Sequence, residues 1–117
     1  MAAPRHRHRP PVAAQRMLDE ESASALAEQF KLLSDPSRLR IVDALVEAGE
    51  LCVGTIAEIV ESSESATSHQ LRNLRLAGFV RSRRHGREVY YSVADSHIRA
   101  LLDVVVEHYL HGQEDRL

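Results

Sequence analysis

The stretch that most constrains this sequence runs over 53–93, where two helical patterns and a strand pattern follow one another with almost no room between them. Apolar residues recur at helical spacing over 53–60 and again over 64–76, and only Glu61, Ser62 and Ser63 separate the two. A serine in that polar turn can cap the second helix, which is the layout of a helix-turn-helix. After Gly78 the period changes. Residues 79–84 and 87–93 are rich in β-branched and aromatic side chains around His85 and Gly86, which predicts a β-hairpin.

Two further helices precede this segment. Ala23, Leu26, Ala27, Phe30 and Leu33 mark the first, from Ser22 to about Ser34. Asp35 can cap the second and Pro36 can occupy its first position; Leu39, Ile41, Val42, Leu45 and Val46 form its face, and Gly49 ends it. A last helix, 96–111, carries Ile98, Leu101, Leu102, Val104, Val105 and Leu110. That is more apolar surface than a terminal helix can leave bare, and a second copy of it is the simplest cover. The expectation is a mainly α fold with a β-hairpin wing, a winged helix-turn-helix that forms a homodimer through its terminal helices.

With 117 residues, 44% of them hydrophobic, the chain suits one globular domain. Residues 1–18 hold three of the four prolines and alternate Arg with His without helical period, so they are expected to be a flexible tail before a domain over 19–117. One cysteine, Cys52, excludes an intrachain disulfide framework and fits a reducing compartment. No window has the apolar length of a signal peptide core or a membrane span, so the expectation is a cytoplasmic protein with no membrane partner.

The formal charge of −2 conceals an asymmetry: Arg72, Arg75, Arg81, Arg83, Arg84 and Arg87 fall in a stretch that contains no acid. In the second helix of the helix-turn-helix, Ser65, Thr67, Ser68, His69, Gln70 and Arg72 are of the types that reach base edges and phosphates, while Leu71 and Leu74 face inward. Arg81, Arg83, Arg84 and Arg87 of the hairpin can follow the phosphate backbone. Taken alone, the serines and threonine are a capping region and the arginines a solvated face. Side by side they point to double-stranded DNA.

Asp95, His97, His108 and His111 form a second constellation. His97 and His108 return to nearly the same helix face, but the rise separates them by roughly 16 Å, so one helix cannot close both on one ion. His108 and His111, at i and i+3, lie side by side. Asp95 can join His97 only if it stands just before the first turn, as a cap does. If two such helices pack antiparallel about a two-fold axis, Asp95 and His97 of one chain meet the partner subunit's His108 and the partner's His111, giving two equal sites suited to tetrahedral zinc. Singly, Asp95 is a cap, His97 a surface residue, and the other two favour a helix C-terminus.

The order of these features, with Leu33-Ser34-Asp35-Pro36-Ser37-Arg38-Leu39-Arg40-Ile41, Glu50-Leu51-Cys52-Val53-Gly54 and Ser65-Ala66-Thr67-Ser68-His69-Gln70-Leu71, resembles the ArsR/SmtB metal-sensing repressors from about Ser24 to His111. The ending is similar to that of members that sense zinc, or nickel and cobalt, through the fifth helix. The resemblance implies a repressor that binds operator DNA metal-free and dissociates on binding Zn(II) at Asp95, His97, His108 and His111. Ni(II) or Co(II) is the alternative effector, with His6 and His8 of the tail as added ligands, and Arg5, Arg7 and Arg9 could touch DNA. Members that sense metals at the third helix carry a second cysteine where this chain has Gly54, and related zinc sensors an aspartate where it has Thr55. Cys52 is therefore expected to be a buried structural cysteine. A metalloenzyme is disfavoured, because four protein ligands leave no open position for water. A winged regulator indifferent to metal remains the other alternative.

Overall fold

A computed structural model describes residues 17–116. The sequence expectations for residues 1–16, including His6, His8, Arg5, Arg7 and Arg9, lie outside these residues. Eight elements follow in order: α1 (Glu20–Leu33), α2 (Pro36–Ala48), β1 (Leu51–Cys52), α3 (Val53–Ile59), α4 (Glu64–Leu76), β2 (Val80–His85), β3 (Glu88–Val93) and α5 (Ser96–Arg116). The chain divides into two units between Lys31 and Leu32.

In the first unit, α1 starts two residues before the expected Ser22. Asp19 is the reason: its Oδ1 accepts from the Ser22 N–H at 2.7 Å, and Glu20 and Glu21 lie in the first turn, where the helix dipole favours acids. Leu26 and Phe30, at helical spacing, are exposed.

The second unit holds the core. Asp35 caps α2 by accepting from the Arg38 N–H at 3.0 Å, Pro36 occupies the first turn, and Gly49, at φ +91°, ends the helix in a conformation other residues rarely adopt. Ile41, Val42 and Leu45 of α2 pack with Ile56 of α3, Leu71 and Leu74 of α4, Phe79, Val80 and Val93 around the hairpin, and Leu102 of α5. Ser63 caps α4 through a 3.0 Å bond from the Ala66 N–H.

The hairpin turns at Gly86, φ +65°, with Arg83 opposite Tyr90 and Val80 opposite Val93. Its partner β1 was not expected: Leu51 pairs with Tyr91 and Cys52 with Tyr90, giving an antiparallel sheet in the order β1-β3-β2. Two residues are too short to show strand alternation, and only pairing with β3 defines them. At the other end α5 continues through Gly112 to Arg116, past the expected end at His111. The Gln113 amide donates to the Tyr109 hydroxyl one turn back, spanning Gly112. No described helix is long and apolar enough to cross a membrane.

Candidate nucleic-acid interface and metal-ligand positions

Helix α4 turns Thr67, Leu71 and Leu74, spaced i, i+4, i+7, into the core. Leu71 and Leu74 were expected there. Thr67 was expected on the DNA side, and this is corrected: it is 1% exposed and its Oγ1 has no hydrogen-bond partner among the described residues. Ser65, Ser68, His69 and Arg72 are exposed on the remaining arc of the helix. Gln70 stands at the boundary, half-buried, where the Arg38 Nε donates to its Oε1 at 2.6 Å. Because a guanidinium only donates, the amide oxygen faces Arg38 and the amide nitrogen is the group left to offer a ligand. Arg38 also donates from Nη1 to the Leu32 carbonyl at 3.1 Å, so it ties the start of α2 to the reading helix.

All four wing arginines are exposed, but they are not equivalent. The side chains of Arg81, Arg84 and Arg87 have no hydrogen-bond or ion-pair partner among the described residues. Arg87, Ser68 and Glu64 line one groove of about 310 Å³, so reading helix and wing share a surface. Arg83, by contrast, grips Glu50 with two bonds, Nε to Oε2 at 2.8 Å and Nη2 to Oε1 at 2.9 Å, and lies over the Tyr90 ring at 5.2 Å. The Arg83 hydrogen bond holds the Glu50 carboxyl below the usual carboxylate range, and the same contact raises Arg83. The expectation of Arg83 as a phosphate contact thus meets a side chain already engaged. Glu50 gave no sign of this role, because its partner lies 33 residues away.

At the start of α5, the Asp95 Oδ1 accepts from the backbone N–H groups of His97 at 2.9 Å and Ile98 at 3.1 Å, the capping position that the metal reading requires. Its Oδ1 is 3.7 Å from the His97 Nδ1. His97, His108 and His111 are exposed. His111 lines a groove with Asp43, Glu47, Asp103, Glu107 and Glu114, an acidic setting that attracts cations. Within one chain no three or more His, Cys, Asp or Glu side chains come together as metal donors among the described residues. Cys52 departs from expectation: it is half-buried rather than buried, ending β1 and preceding the first turn of α3, with its Sγ 3.4 Å from the Thr55 Oγ1.

Residues 35–82, from the α2 cap into the wing, match the model of the bacterial regulatory proteins of the arsR family. A cadmium resistance transcriptional regulatory protein CadC homolog of Staphylococcus aureus is 39% identical over 86% of this chain and 81% of its own length. The chain belongs to the ArsR family. A transcriptional repressor SmtB homolog of Synechocystis is 50% identical over 75% of the chain and 66% of the relative. The solution structure of a homodimeric winged helix-turn-helix DNA-binding domain from Mycobacterium bovis superposes with a TM-score of 0.74 at 27% identity, covering 86% of this chain and 94% of that one. The expected winged helix-turn-helix is therefore the observed fold. As a member of the ArsR/SmtB metal-sensing repressors the chain is a DNA-binding transcriptional regulator, not an enzyme.

Proposed function

We propose that this protein is a cytoplasmic, homodimeric repressor that holds operator DNA when metal-free and releases it when Zn(II) occupies two symmetric sites between the subunits. Each site takes Asp95 and His97 from one protomer with the partner subunit's His108 and the partner's His111. The observation that carries this reading is one helical face. His97, Leu101, Val104, His108 and His111 fall at i, i+4, i+7, i+11 and i+14 on α5, with Val104 64% exposed at its middle. A partner helix that covers Val104 in antiparallel sense brings the donors at the two ends of this face into pairs.

The donor chemistry fits zinc. One carboxylate and three imidazoles make a tetrahedral set, and the Asp95 Oδ1 takes both capping bonds while Oδ2 keeps no partner among the described residues. The bound ion supplies a cross-link between the two α5 helices. Asp95 fixes the first turn and so the direction of His97; the acidic groove around His111 favours cation entry. The reading helices, packed on the same core through Leu71, Leu74 and Leu102, feel any change in the spacing of the α5 pair. The coupling between metal and DNA is expected at about 1 to 3 kcal/mol and is reciprocal.

For DNA, Ser65, Ser68, His69, Arg72 and the Gln70 amide nitrogen are assigned to the major groove, and Arg81, Arg84 and Arg87 to phosphates. The test is a metal titration of the protein–DNA complex joined to the absorption spectrum of the cobalt-substituted protein. Release of DNA with intense visible bands is expected. Weak bands would favour a six-coordinate nickel or cobalt site, and DNA binding unmoved by any metal would reduce the protein to a winged regulator.

A further inference from the structure

The Glu50–Arg83 pair stands where the wing meets the helix-turn-helix. Glu50 follows Gly49, the end of α2, and only Leu51 and Cys52 separate it from the start of α3. Arg83, Tyr90 and Cys52 form one cross-strand row, since Arg83 pairs with Tyr90 and Tyr90 with Cys52. Glu50 directly precedes β1, two residues from Cys52 and so on the same side of the chain, and its carboxylate reaches diagonally from there to Arg83. In the sheet order β1-β3-β2, β1 pairs only with β3, so the Glu50 bonds tie the segment between α2 and α3 directly to β2, the hairpin strand that β1 does not reach.

We infer that Glu50 and Arg83 act as a positioning pair that sets the wing against the reading helix, and that Arg83 is not a phosphate ligand. To take a phosphate, Arg83 would have to give up two charge-assisted hydrogen bonds and its place over Tyr90. Arg81, Arg84 and Arg87 make no such exchange. The pair is exposed, with 54% and 36% of the two side chains open to solvent, so it adds little to overall stability and acts on geometry instead.

This inference rests on the DNA-binding reading, and the two can be separated by salt. Affinities of wild type, Glu50→Gln, Glu50→Asp, Arg83→Gln and the double variant E50Q/R83Q would be measured from low to high salt, on a duplex that the wild-type protein selects from a randomised pool. A positioning pair predicts that Glu50→Gln and Arg83→Gln weaken binding alike, on the order of fivefold, and that the double variant is no worse than either. Glu50→Asp, which keeps the charge and loses the two-point grip, weakens it too. The salt slope and the melting temperature stay at wild-type values, whereas loss of a phosphate contact would reduce the slope by about one. Tighter binding by Glu50→Gln, a reduced slope in Arg83→Gln, or no effect of Glu50→Gln would each overturn the inference while leaving DNA binding intact. A wild-type protein without salt-dependent DNA binding would overturn both readings.

Discussion

Thr67 shows at the level of one residue how polarity can mislead. Its hydroxyl is buried without a partner, and a buried unpaired group carries a desolvation cost that an apolar side chain of the same shape avoids. Thr67→Val is therefore expected to leave DNA affinity unchanged and to hold or raise stability, by up to about 1 kcal/mol in chemical denaturation. A loss of affinity in a variant that melts like wild type would return Thr67 to the reading surface. The spacing i, i+4, i+7 with Leu71 and Leu74 already placed Thr67 inward; residue type pulled the sequence reading the other way. Ser65, His69 and Arg72 were legible because both spacing and type put them outside. Gln70 and Arg83 were legible as exposed polar groups but not as bonded ones, since Arg38 and Glu50 reach them from 32 and 33 residues away.

At the level of elements, α5 joins a helix-capping role to the proposed metal role in one carboxylate, and two substitutions pull them apart. Asparagine caps about as well as aspartate, whereas alanine costs about 0.5 to 2 kcal/mol. Asp95→Asn should thus melt with wild type, bind DNA normally and fail to release it when zinc is added; Asp95→Ala should lose both stability and metal response. Normal zinc-induced release in Asp95→Asn would remove Asp95 from the ligand set. Most element boundaries were readable: Asp35, Pro36 and Gly49 around α2, Ser63 before α4 and Gly86 in the hairpin are local signals whose physics lies within a few residues. β1 was not readable, because two residues carry no period and become a strand only through Tyr90 and Tyr91. α5 runs past the expected end at His111, because the cost of Gly112, about 1 kcal/mol inside a helix, is outweighed by the turns on either side.

For the whole molecule, the surface on which the proposed dimer turns is the α5 face centred on Val104. Placing a charge there, Val104→Glu, should dissociate the proposed dimer in sedimentation equilibrium, and with it abolish the proposed zinc-dependent release and weaken operator binding, while the protomer core, which Val104 does not enter, keeps its fold by circular dichroism. A variant that stays dimeric would place the interface elsewhere. The order of helices, the helix-turn-helix and the wing were determined by the sequence alone, since period, caps and turns are local. Which polar side chains are engaged and which are left to bind was decided only by the tertiary structure. Gln70 under Arg38 and Arg83 in the grip of Glu50 depend on contacts between elements distant in sequence, and no local pattern encodes those contacts.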